Sequence, residues 1–122
     1  MVSIERVQAL LDELCAELPP AFFESLNGGI YLLPDARSSP AAAGLYTLGE
    51  YHRGGAMGRY INIYYGSFAR VFGALDEPRL RHELREVLLH EFTHHLESLA
   101  GERSLEEKDR QFLEAYKNRG RD

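Results

Sequence analysis

Val87-Leu88-Leu89-His90-Glu91-Phe92-Thr93-His94-His95-Leu96 decides how the rest of the chain must be arranged. The stretch holds His-Glu-x-x-His as His90, Glu91 and His94. On an α-helix, residues four apart stand one above the other, so both imidazoles can converge on one ion. Neutral imidazole is a good Zn²⁺ ligand, and two of them beside an open position begin a catalytic zinc site. Glu91 follows the first imidazole directly, where its carboxylate can take a proton from a water on that metal. The chemistry needs the spacing as much as the residue types. Chance could place three polar residues in this order on a solvated helix. Here Val87, Leu88, Leu89, Phe92, Leu96 and Leu99 flank them, which marks a largely buried helix. Buried ionisable groups need partners, and a metal would supply one.

With about 100° per residue, Leu84, Leu88, Phe92, His95, Leu96 and Leu99 form one broad apolar face. Val87, His90, Glu91 and His94 fall on an adjoining sector. One side of the helix is expected to pack and the other to face the ion. His95 lands on the packing side, as a core histidine hydrogen-bonded to a neighbour. Asp76 and Pro78 mark the start of this helix, and Gly101 is its expected C-terminal cap. Ser104-Leu105-Glu106-Glu107 is a capping box that opens a last helix with apolar positions Leu105, Phe112, Leu113 and Tyr116.

A catalytic zinc site usually has three protein ligands plus water, so His90 and His94 need a third donor. Asp109 lies on the inward stripe of the last helix, where a carboxylate requires a cation or several donors. It is the first choice. Glu102, in the turn between the two helices, and Glu97, one turn beyond the imidazole pair, remain open as alternatives. Glu97 suits the orienting of an imidazole better than ligation.

Upstream, Ser3 can cap a helix with apolar residues at Ile4, Val7, Leu10, Leu11, Leu14 and Leu18. Pro19-Pro20 ends it, and Pro20 can open a short second helix that Asn27-Gly28-Gly29 terminates. Gly29 to Leu33 and Leu45 to Tyr51 are expected strands. The loosest part, Asp35 to Gly44, is an expected surface loop. Arg59 to Tyr65 alternates, with Ile61, Ile63 and Tyr65 on one face and Tyr60, Asn62 and Tyr64 on the other. If that strand is an edge beside the site, an extended peptide could pair with it. Gly66 and Ser67 lead into a short helical piece, Phe68 to Phe72.

The 122 residues suit one domain, with 44% hydrophobic and 27% charged residues as in an ordinary globular protein. A net charge of −5 offers no basic face to nucleic acid or anionic lipid. No apolar run is long enough to span a bilayer and no signal-peptide pattern opens the chain, which with the lone Cys15 fits a cytoplasmic protein; a monomer is expected. The lone Cys15 excludes an internal disulfide framework and is expected to pack rather than react.

Four segments together resemble a family of small bacterial zincin-like metallopeptidases, once grouped as a domain of unknown function. They are the leading amphipathic helix ending in Leu18-Pro19-Pro20, then Gly44-Leu45-Tyr46, then Ile61-Asn62-Ile63-Tyr64-Tyr65-Gly66, then Glu86 to His95. The resemblance implies an α+β zincin-like fold, with a few-stranded mixed or antiparallel sheet packed on the His-Glu-x-x-His helix between N- and C-terminal helices. It also implies peptidase activity on a peptide or protein. Many members continue the motif as His-Glu-x-x-His-x-x-Gly-x-x-Asp, the Asp being the third ligand. Here Glu97 stands at the Gly position and Ala100 at the Asp position, so that ligand does not carry over.

Two functions follow. One is a Zn²⁺ metallopeptidase with Glu91 as general base; the other is a non-catalytic, zinc-stabilised protein-interaction module. The donor assignment is checked by metal analysis of untagged protein purified without chelator. About one equivalent of zinc is expected, with most of it lost in Asp109→Ala; unchanged zinc would move the third donor to Glu102 or Glu97.

Overall fold

Ser3 accepts a hydrogen bond from the Arg6 amide (3.2 Å) and starts α1, Ile4–Glu17. The apolar residues of α1 recur at helical spacing, and Val7, Leu10, Leu11 and Leu14 are buried. The chain is described by a computed structural model covering residues 1–103 and 114–117, with the side chains of Glu102 and Arg103 outside that description. Pro20 opens a single 3₁₀ turn, Pro20–Phe23, which sends Phe22 into the core. Ser25 then takes a positive φ of 63°, and strand β1 follows at Gly29–Leu33.

The sheet is mixed. Strand β5, Tyr60–Tyr64, lies in the middle, parallel to β1 and antiparallel to β4, Gly49–His52. Ile61 and Ile63 of β5 point inward and are fully buried, as their alternation requires. Tyr60, Asn62 and Tyr64 take the other face. There Tyr60 stacks on His52 with ring centroids 4.8 Å apart, and Tyr64 donates to the Glu50 carboxylate. Because β5 is central, the edge nearest the long helix belongs to β4. The conditional reading of Arg59–Tyr65 as that edge is therefore corrected.

The expected strand over 45–51 is two strands in two sheets. Tyr46–Thr47 (β3) pairs antiparallel with Arg37–Ser38 (β2), and β4 begins after Leu48. The stretch expected as a loop thus contains β2, since two residues are too few to show a period. Helix α2, Tyr65–Phe72, follows β5 directly and buries Phe68.

Asp76 caps the first turn of α3 through the Arg79 amide (3.1 Å), and α3 runs Glu77–Arg103. It does not stop at Gly101. Leu96, Leu99 and Ala100 are all buried at its end, and their packing offsets the ~1 kcal/mol that a helical glycine costs. Leu80, Leu84, Leu88, Phe92 and Leu99 join α1, Phe22, Ile61, Ile63 and Phe68 in one core. Of the expected last helix, only residues 114–117 are described, and they are helical. The Tyr116 hydroxyl donates to the Glu17 carbonyl (3.0 Å), which ties this segment to the end of α1. The architecture is α+β, with the mixed sheet on one side of α3 and α1 on another.

Cys15 is partly buried against the core, and its burial pushes the thiol up to about 11. Among the described residues, no helix is long and apolar enough to cross a membrane. Leu88→Ala removes a fully buried side chain from the middle of α3. Urea unfolding is expected to show a loss of about 2–5 kcal/mol; a loss below about 1 kcal/mol would deny that α3 centres the core.

Candidate active site

β4 lies across α3 where residue 49 has no side chain. A Cβ built on Gly49 would meet Val87 Cγ1 at 2.9 Å, Glu91 Cγ at 3.2 Å and Ile63 Cδ1 at 3.3 Å. Glycine therefore lets the strand settle directly onto the helix at Glu91. Two residues on, Tyr51 points to the same side of the strand and meets His95. His95 is fully buried. Its Nε2 donates to the Glu24 carbonyl (2.7 Å), so its Nδ1 accepts from the Tyr51 hydroxyl (2.9 Å). The Tyr51 oxygen in turn accepts from Arg59 Nη1 (3.0 Å). This is the core histidine expected from the sequence.

His90 and His94 project from the next sector of the helix and reach the surface. Their Nε2 atoms are 3.1 Å apart, with the rings nearly perpendicular at 89°. Desolvation of its ring, and then the neighbouring His94, lower the pKa of His90; at neutral pH its nitrogen lone pair is available. Glu91, between the two imidazoles in sequence, is only 5% exposed. Burial, followed by the charge of Glu50, pushes its carboxyl up to about 7.

Glu91 sits where two clefts meet. One, about 650 Å³, is lined by Glu50, His52, Arg53, His94 and Glu97. The other, about 330 Å³, is lined by Tyr46, Leu48, Glu86, Val87 and His90. The Glu50 carboxylate on the strand side is held by Arg37 Nε (3.1 Å), His52 Nε2 (3.3 Å) and the Tyr64 hydroxyl. The structure thus brings His90, Glu91 and His94 together. Asp109 lies outside the described residues, as does the side chain of Glu102. Glu97 lines the larger cleft and acts on His90 through its charge. Among the described residues, no group of three or more His, Cys, Asp or Glu side chains is gathered closely enough to hold a metal ion. The imidazole pair could contribute two donors.

Sequence reasoning did not single out Gly49 or Glu50. A glycine inside a strand pattern signals close backbone approach, which was the available clue to Gly49. Glu50 carried no such sign, because its importance lies in contacts with Arg37 and Tyr64.

The chain matches the profile of zincin-like metallopeptidases over residues 34–110. It is also similar to the solved structure of a conserved hypothetical protein from Thermus thermophilus. The two share 37% sequence identity and a TM-score of 0.74, over 82% of this chain and 99% of that one. No curated protein matches significantly.

Gly49→Ala tests the strand–helix contact. The added methyl is expected to destabilise the fold by about 1–3 kcal/mol in urea unfolding, since three side chains must yield to it. A stabilised variant would show that β4 does not rest on Glu91.

Proposed function

This chain belongs to the zincin-like metallopeptidase family, and from that premise we propose that it is a Zn²⁺-dependent peptidase. His90 and His94 hold the ion and Glu91 is the general base. The observation that carries the proposal is the convergence of the two Nε2 atoms at 3.1 Å beside Glu91, where the two clefts meet. The donor set fits the ion: tetrahedral zinc–nitrogen bonds of ~2.0–2.1 Å place two nitrogens about 3.3 Å apart. Zn²⁺, when bound, supplies Lewis acidity toward a carbonyl oxygen and a water.

The chain's own residues do the rest. Glu91 accepts the proton of the attacking water and passes it to the leaving amine. Gly49 lets β4 pack directly against Val87 and the Glu91 Cγ, and the Glu91 side chain is almost wholly buried. The hydroxyls of Tyr51 and Tyr64 are engaged with His95 and Glu50 and are not assigned to the developing oxyanion. Asp109 is the proposed third ligand, on the strength of its place on the inward stripe of the last helix. Glu102 and Glu97 are the alternatives. The substrate is a peptide or protein, and its backbone would pair with β4 rather than β5, because β4 is the sheet edge beside α3. A zinc-stabilised interaction module would require a closed set of donors. Both imidazoles instead open onto clefts, which supports catalysis.

Glu91→Gln is the decisive variant. Zinc content is expected to stay at about one equivalent while peptide hydrolysis falls about 10²–10⁴-fold. Hydrolysis at the native rate would remove Glu91 from the role of base, and no hydrolysis by the zinc-loaded native chain would leave the interaction module.

A further inference from the structure

The two clefts that meet at Glu91 differ in charge. Glu50 and Glu97 share the larger one with Arg53. Glu86, His90 and Glu91 line the smaller one, and no Lys or Arg lines it among the described residues. Of the neighbouring cations, Arg70 is engaged with Tyr46, whose hydroxyl accepts from its Nη1 (3.0 Å) and whose ring lies under its guanidinium (5.7 Å). Lys117 donates to the Thr93 hydroxyl (3.3 Å).

Glu86 stands one turn before His90 on the same side of α3. Its Oε1 is shielded from solvent and has no hydrogen-bond partner. His82, one turn further back, holds its Nε2 3.9 Å from that oxygen, too far for a hydrogen bond. A carboxylate oxygen withdrawn from water without a donor is costly, and such a group calls for a partner. The rest of the side chain stays accessible, at 28%, and lines the cleft. Tyr46, Leu48 and Val87 supply apolar surface beside it. That surface suits the methylene stem of a lysine or arginine, whose charged head then meets the carboxylate.

Four helix residues separate Glu86 from His90, a rise of about 6 Å. Two residues of extended chain cover about 6.6 Å. A cation at Glu86 therefore belongs to a substrate residue one or two places from the reacting bond, as its side chain or as a free α-amino group. Building on the hydrolytic function proposed above, we propose that Glu86 makes the smaller cleft a cation subsite. It selects substrates that carry an ammonium or guanidinium group next to the cut, on one side alone.

The test uses the full chain loaded with Zn²⁺ and end-blocked peptides of one sequence, in which a single lysine or norleucine is moved along the chain. At one or two positions on one side of the cut, kcat/KM is expected to be about tenfold higher for lysine, mostly through KM. Glu86→Gln keeps the shape and removes the charge, and should bring that ratio to about one. Thr47→Lys sets a competing cation in the same cleft and should do likewise, which covers a failure of the first variant to fold. The series is repeated with free amino termini. A preference seen in blocked peptides assigns the subsite to a side chain, and one that needs the free terminus assigns it to the α-amino group. No preference in either series, an equal preference on both sides of the cut, or one that survives either variant would overturn the subsite.

Calorimetric binding to zinc-loaded Glu91→Gln separates the subsite from hydrolysis. If the native chain cuts nothing, but this variant binds the lysine peptide about tenfold more tightly than the norleucine one, the subsite stands and hydrolysis fails. If peptides are cut without regard to charge, hydrolysis stands and the subsite fails. If nothing binds and nothing is cut, both fail.

Discussion

The seating of β4 on α3 at Gly49 governs the geometry of everything around the site. With no side chain at that position, the strand approaches Val87 and Glu91 as closely as packing permits. That approach narrows the space above the helix to two clefts that meet at one carboxylate. It also strips water from Glu91, which is why a glutamate on a helix that carries two surface imidazoles is almost wholly buried. Desolvation disfavours the charged carboxylate, and its acidity shifts accordingly.

A strand laid along a helix stays in place only if the two repeats agree. Two residues of strand advance about 6.6 Å, and four residues of helix about 6 Å. Gly49 against Glu91 and Tyr51 against His95 are successive rungs at that spacing. Arg53 against Ser98, at 3.1 Å, continues the row two strand residues but only three helix residues further on. The middle rung is the firmest, because His95 also donates to the Glu24 carbonyl on the far side of the helix. A buried polar side chain is costly unless its hydrogen bonds are made. His95 makes them between three separate segments, which fixes the height and direction of the strand above Glu91.

Helices were the most legible part of the sequence, since their apolar residues recur over many turns. Ser3 and Asp76 announced where α1 and α3 begin, and both cap those helices. The alternation of Ile61 and Ile63 likewise showed β5 and its inner face. Leu48 gave no sign that the strands on either side of it belong to different sheets, because pairing partners such as Arg37 are remote in sequence. For the same reason, nothing local revealed that β5 is central and β4 the edge. Within the site, His90, Glu91 and His94 were legible as a helical repeat, and His95 as the odd member facing inward. Glu50 was not. Its place is set by Arg37 and Tyr64, brought near by the fold.

The unbroken run of α3 to Arg103 also decides where a third donor to the proposed ion can arise. In the family pattern a glycine three residues after the second histidine precedes the carboxylate donor. Here that position is Glu97 and the helix continues to Arg103. At about 100° per residue, position 100 is carried roughly 100° around the helix from the midpoint between His90 and His94. Ala100 is buried there. A carboxylate at 100 would point toward the core, away from the imidazoles, so alanine suits the position in this chain. Glu97 stays outward but stands nearly two turns from His90, at ~1.5 Å of rise per residue. Apart from Glu97, a third protein donor has to approach from outside this helix or from its last turn. An inward carboxylate on a following segment, as Asp109 is in the sequence pattern, answers that requirement without bending α3.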